Sequence, residues 1–186
     1  MLEGNHRVVK NGQMVLGVLE PGVRDNVRIG EAQMMLQIAP THWLSSDFTV
    51  LKDSQTVANV EVSRWGEKGA LSIDRTSYRM YREGWLSGAF VLERDGSVVA
   101  RAEKAGVFHR KYLVRYGDRE YTLAARSMFR RPFAVLDGST EIGSIERTTV
   151  FTREAKADLP DAWPLPLRAF VIWLAWMQWR RDAAGS

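Results

Sequence analysis

Arginine is the residue type whose number and spacing in this chain best suggest a chemistry. Residues 101–131 hold nine basic and three acidic side chains, whereas the whole chain of 186 residues has a net charge of +4. A guanidinium group presents a planar fork of N–H donors that fits two phosphate oxygens at once. The stretch therefore predicts a basic surface for a phosphorylated ligand, and its candidate residues are Arg110, Lys111, Arg115, Arg119, Arg126, Arg130 and Arg131. A solvated basic face without any ligand is the alternative.

One predicted loop in this stretch combines arginines with an apolar tip. Arg126 precedes Met128-Phe129, and Arg130 and Arg131 follow it. Guanidinium groups would contact lipid phosphates while the methionine and phenylalanine contact lipid. The pattern favours anionic lipid headgroups at a membrane surface as the partner.

Nucleic acid is disfavoured as a partner by the strand predicted near residue 111. Successive side chains of a strand point to opposite faces, so Lys111 and Arg115 share one face and Tyr112 and Tyr116 share the other. Single strands are held by aromatic side chains that lie beside basic ones in an open groove. Here the tyrosines are predicted to face the interior.

The chain lacks residue patterns for catalysis, metal binding or a cofactor. It contains no cysteine, and its three histidines, His6, His42 and His109, stand apart from each other in the sequence. A catalytic histidine needs a positioned partner, which no spacing in this chain suggests. We therefore expect a protein that is not an enzyme, with no catalytic residue, no metal and no cofactor.

The elements that would position the arginines are short strands. Gly96, Gly117 and Gly138 recur every 21 residues, and two of them follow aspartate while one precedes it. Such pairs are typical of tight hairpin turns. Between residues 48 and 153 the pattern predicts about ten to twelve antiparallel strands in a sandwich or barrel.

The C-terminal segment has a different pattern, which predicts a helix over residues 164–181. No polar side chain occurs between Ala169 and Met177, a run of nine residues. A membrane span needs about 20 apolar residues, and shorter runs are more often buried core helices. Only the preceding strands are available to surround this helix. The predicted fold is mainly β, a closed antiparallel β-barrel around a hydrophobic C-terminal helix.

Residues 1–41 are predicted to form a partly ordered N-terminal segment, and residues 42–186 the barrel domain. The first aromatic residue of the chain is Trp43, and glycines interrupt the segment before it. No signal-peptide pattern and no transmembrane segment are recognised. We expect a cytoplasmic protein that is peripheral to a membrane.

Two segments, Phe90–Ala100 and Phe133–Ile145, each read as a strand, an Asp-Gly turn and a second strand. Together with the order of elements, they make residues 43–181 similar to the tubby C-terminal-like superfamily, which includes tubby proteins, plant LURP-one-related proteins and phospholipid scramblases. The resemblance implies a barrel around a central helix, and binding of phosphoinositide or other anionic lipid headgroups by basic side chains. A scaffold domain for a protein partner is the competing interpretation.

Overall fold

The computed structural model describes residues 9–10, 13–14, 35–42, 45–84, 88–106, 110–126, 132–148 and 154–184. The chain forms two compact units, Met1–Glu31 and Ala32–Ser186. In the first unit, β1 (Val9–Lys10) pairs antiparallel with β2 (Gln13–Met14). The second unit contains the twelve other strands and the helix.

These twelve strands form a closed barrel in which each strand pairs antiparallel with its neighbours in the chain. The first and last strands close it, with Ile38 opposite Ala155 and Leu36 opposite Ala157. The strands are β3 (Leu36–Pro40), β4 (Phe48–Lys52), β5 (Gln55–Val62), β6 (Lys68–Ile73), β7 (Thr76–Arg82), β8 (Phe90–Arg94), β9 (Ser97–Lys104), β10 (Lys111–Tyr116), β11 (Arg119–Ala125), β12 (Phe133–Asp137), β13 (Thr140–Arg147) and β14 (Ala155–Asp158). The predicted antiparallel barrel of ten to twelve strands is confirmed.

The helix α1 (Leu165–Ala184) is the core of this barrel. Every residue from Ala169 to Trp179 is buried. This is expected, because a helix that is apolar all round has no face suited to water. At about 1.5 Å per residue its 20 residues span about 30 Å. The predicted buried helix is confirmed, and it ends three residues beyond the predicted position 181.

Three strands of the barrel, spaced four apart, each begin with a phenylalanine that contacts the helix. Phe48, Phe90 and Phe133 begin β4, β8 and β12, and the pairing register shifts two residues after each of them. Each phenylalanine contacts a different tryptophan of α1, with ring centroids 4.7 Å apart for Phe48–Trp176, 5.8 Å for Phe90–Trp173 and 5.9 Å for Phe133–Trp179. Each of the three tryptophans that recur at intervals of three along α1 therefore packs on one of these phenylalanines.

The two rims of the barrel differ in the length of their connections. The tight-turn rim consists of two-residue turns at 53–54, 74–75, 95–96, 117–118 and 138–139. The long-loop rim consists of connections of five to seven residues at 41–47, 63–67, 83–89, 105–110, 126–132 and 148–154. Because β14 ends at the tight-turn rim, α1 begins there and ends at the long-loop rim.

The tight turns have the backbone geometry that their sequences predict. In the turn between β8 and β9, Asp95 and Gly96 have φ of 50° and 79°. Positive φ at both central residues is typical of the hairpin turns that match the twist of paired strands, and glycine adopts it without steric cost.

The barrel begins earlier in the chain than residue 42, where the sequence analysis placed the domain boundary. Strand β3 starts at Leu36 and pairs with both β4 and β14. The boundary was based on the first aromatic residue, whereas β3 fills the core with the aliphatic side chains of Leu36 and Ile38. Residues 36–40 therefore belong to the barrel.

Candidate functional site

The last turns of α1 reach a network of polar side chains at the long-loop rim. The Tyr112 hydroxyl donates to Gln178 Oε1 at 2.9 Å and accepts from Arg181 Nη1 at 3.1 Å. Arg181 also pairs with Glu67, whose second oxygen lies 3.1 Å from Nη1 of Arg82. Strand residues of β7 and β10 and the connection before β6 are thereby joined to the end of the helix.

A second carboxylate extends this network. Asp182 accepts from Gln178 Nε2 at 3.0 Å and lies 3.1 Å from Nη2 of Arg110. Burial, followed by the nearby charge of Asp182, raises the pKa of Tyr112 well above its usual range. The phenol therefore stays protonated and donates its hydrogen bond at any physiological pH. We assign the network to anchoring the helix end, because its donors and acceptors contact each other.

On a different side of the helix end lies a cavity of about 310 Å³. Its lining comes from α1, from the last residue of β13 and from the connection after β3, and consists of Ser46, Arg147, Trp176, Trp179, Arg180, Ala183 and Ala184. Two of these side chains are guanidinium groups, and none of the described lining residues carries a carboxylate. An arginine side chain keeps its charge at all physiological pH values, so the lining is positive.

The aromatic walls of this cavity are held in place by packing. The Trp176 indole N–H donates to the Ser46 carbonyl at 3.0 Å, and its ring packs on Phe48. The Arg147 guanidinium lies over the Trp179 ring, 5.1 Å from the centroid. Because Trp176 and Trp179 are 3% and 0% exposed, the walls have little freedom to change shape.

The arginines that the sequence analysis selected are divided between the two rims. Arg110, Lys111 and Arg126 lie at the long-loop rim, whereas Arg115 and Arg119 flank the tight turn at 117–118. Lys111 and Arg115 share a face of β10, as predicted. Four residues of strand nevertheless separate them along the barrel by about 13 Å. Arg130 and Arg131 lie outside the described residues.

Several of these arginines pair with acids, and two of these acids lie outside residues 101–131. Arg115 Nε lies 2.9 Å from Glu120, Arg126 pairs with Glu141, and Arg110 pairs with Asp182. The local excess of positive charge in residues 101–131 is therefore reduced by Glu141 and Asp182, which the sequence places elsewhere. The sequence alone does not reveal this charge compensation, because the paired residues are far apart in the chain.

Sequence reasoning did not select the two arginines of the cavity as binding residues. Arg180 follows the apolar run of α1 and Arg147 ends a strand, and neither lies in the basic stretch of residues 101–131. The recurrence of tryptophan at 173, 176 and 179 is the sequence signal that points to this end of α1.

Within the described ranges, no three His, Asp or Glu side chains lie close enough together to hold a metal ion. No described helix combines the length and the hydropathy that a membrane crossing requires.

Comparisons with protein families, with curated proteins and with solved structures found no match to this chain.

Proposed function

We propose that this barrel is a non-enzymatic module that binds anionic membrane surfaces through its long-loop rim. The observation that carries the proposal is the difference in composition between the two rims. The two rims differ both in charge and in apolar residues.

The connections of the two rims have opposite charge. The two-residue turns contain the four aspartates Asp53, Asp74, Asp95 and Asp118 and one arginine, Arg75. The long connections contain four acidic residues and six arginines, which are Arg64, Arg110, Arg126, Arg130, Arg131 and Arg153. A basic residue close to an anionic leaflet contributes about 1 kcal/mol of attraction. An anionic surface would therefore attract the long-loop rim and repel the other.

Apolar residues have the same asymmetry. None of the two-residue turns contains one, whereas the sequence of every long connection includes an aromatic residue: Trp43, Trp65, Trp85, Phe108, Phe129 and Phe151. Among these, the structure describes Trp65, which is 89% exposed and follows Arg64. Tryptophan beside arginine suits the boundary between headgroups and acyl chains, where one side of the ring is apolar and the other wet.

We also propose that the chain is a distant member of the tubby C-terminal-like superfamily. The closed barrel of twelve strands around a C-terminal helix supports this assignment. Lipid binding as a theme of that superfamily agrees with the proposed function.

Co-sedimentation with vesicles tests the proposal. Neutral phosphatidylcholine vesicles are compared with vesicles that contain anionic phosphatidylserine, at low and at high salt. One variant carries Arg126, Arg130 and Arg131 changed to Glu at the long-loop rim. Its matched control carries Arg75, Arg94 and Arg119 changed to Glu at the tight-turn rim, which alters the net charge equally.

We expect salt-sensitive binding to anionic vesicles that weakens at least tenfold in the long-loop variant and stays within about twofold in the control. Equal loss in both variants would mean that net charge alone matters and would reject the rim assignment. Absence of binding under every condition would reject the membrane and favour the scaffold function with a protein partner.

A further inference from the structure

We infer that the cavity beside the last turn of α1 binds a phosphate-bearing group. The ligand is either the headgroup of a single anionic lipid or a soluble organic phosphate. The inference deepens the proposed function. It rests on that function only if the phosphate belongs to a lipid.

The charge of the cavity selects for an anion. Arg147 and Arg180 come from separate elements, and both guanidinium groups line one space in which no other described residue is charged. The C-terminal end of α1 opposes this, because its free carbonyls are equivalent to about half a negative charge. The two guanidinium charges exceed that half charge, so the described lining favours an anion.

Arg180 has the donors that a phosphate needs. Its Nη1 donates to the Ser63 carbonyl at 3.3 Å and lies 3.8 Å from the Met177 sulfur. Its Nε and Nη2 groups have no hydrogen-bond partner among the described residues. These two groups form one edge of the guanidinium, and their parallel N–H bonds match two oxygens of a phosphate.

The remaining walls indicate what else the ligand contains. Trp176, Trp179, Ala183 and Ala184 present apolar surface next to the two charges. A volume of about 310 Å³ is at the small end of ligand sites, which range over about 300–1,000 Å³. The site therefore suits a phosphate monoester with one apolar or ring-shaped substituent better than a bare phosphate.

Calorimetric titration with phenyl phosphate and with inorganic phosphate tests the inference on the full chain. The decisive variant is Ala183→Glu, which places a carboxylate in the lining at an exposed position of the helix. Its matched control is Ala183→Gln, which has the same size without the charge. Arg180→Gln removes one donor fork, and Arg119→Gln at the tight-turn rim is its control.

We expect saturable binding of phenyl phosphate that is tighter than binding of inorganic phosphate. Ala183→Glu and Arg180→Gln should each weaken it at least tenfold, while Ala183→Gln and Arg119→Gln stay within about twofold. The inference is overturned if wild-type protein gives no saturable heat, or if Ala183→Glu and Ala183→Gln bind equally.

Vesicles distinguish the two sources of phosphate and separate this inference from the proposed function. If the ligand is a lipid, phosphatidic acid vesicles should bind more tightly than phosphatidylserine vesicles of equal charge, and Ala183→Glu should remove that preference. If wild-type protein binds phenyl phosphate but no vesicle, the cavity takes a soluble phosphate and the membrane proposal fails alone. If vesicle binding requires the long-loop arginines but the wild-type protein does not bind phenyl phosphate, only the inference about the cavity is rejected.

Discussion

The two rims of the barrel are built by different means. At the tight-turn rim, each turn is determined by two adjacent residues such as Asp95-Gly96, whose backbone geometry suits the hairpin. At the long-loop rim, residues far apart in the sequence are joined instead. Trp176 donates to the carbonyl of Ser46 and Arg180 to that of Ser63, across 130 and 117 positions of the chain.

This difference separates folding from binding in the molecule. Short turns hold neighbouring strands in register and leave no room for other side chains. Long connections and the end of α1 carry the arginines, tryptophans and cavity that suit a ligand. Function is expected where loops rest on a rigid scaffold.

Removing a tryptophan should destabilise the fold strongly in the core and hardly at all at the long-loop rim. Trp173→Ala takes away a fully buried ring that packs on Phe90 and should lower the free energy of unfolding by about 3–5 kcal/mol. Trp65→Ala removes an 89% exposed ring and should change it by less than about 0.5 kcal/mol. Urea denaturation measures both, and similar losses would contradict the central position of the helix.

Ion pairs at the two rims should differ in their contribution to stability. Glu67→Gln leaves Arg82 and Arg181, whose side chains are 21% and 25% exposed, without their shared carboxylate. We expect a loss of about 1–3 kcal/mol, between the values for exposed and fully buried pairs. Asp95→Asn breaks the exposed pair with Arg94 and should cost less than about 0.5 kcal/mol. Equal costs, measured by chemical denaturation, would show that the network does not anchor α1.

An apolar side chain is exposed at each rim, which allows a direct comparison of vesicle binding. Trp65→Asp should weaken binding to anionic vesicles about fivefold, because one negative charge near the surface costs about 1 kcal/mol. Val98→Asp, at a 58% exposed position of the tight-turn rim, should leave binding unchanged. An equal decrease in both variants would speak against a defined membrane face.

The smallest effect concerns a carboxyl group at the tight-turn rim. Burial, and then the nearby Asp161, raises the pKa of Asp158, and Oδ1 of Asp158 has no hydrogen-bond partner among the described residues. A raised pKa in the folded state means that stability falls as the pH rises through that value. Asp158→Asn should therefore raise the melting temperature by about 1 °C at pH 7. The gain should disappear near pH 2, well below the pKa of about 3.9 that the carboxyl group has in the unfolded chain, because it is then protonated in the folded and the unfolded state alike. Calorimetry at the two pH values would detect a gain that persists.

The sequence predicts the tight-turn rim and the helix better than the long-loop rim. Turn chemistry at Gly96 and Gly138, alternation in β10 and the apolar run of α1 are local signals, and each is enough to identify its element. The cavity is different, because Ser46, Arg147 and Arg180 become neighbours only when the barrel closes. The pairing of Arg126 with Glu141 is equally invisible before the strands are in register. Local patterns therefore determine the scaffold, whereas the candidate site depends on its closure.

The central claim is that the long-loop rim faces the membrane, and site-specific labelling tests it most directly. The chain contains no cysteine, so a single introduced cysteine carries an environment-sensitive fluorophore without competition. Thr148→Cys labels an exposed position of the long-loop rim, and Ser139→Cys labels an exposed position in a tight turn. With anionic vesicles, we predict a blue shift and increased emission at position 148 and no change at position 139. A change at position 139 alone, or equal changes at both positions, would contradict the account.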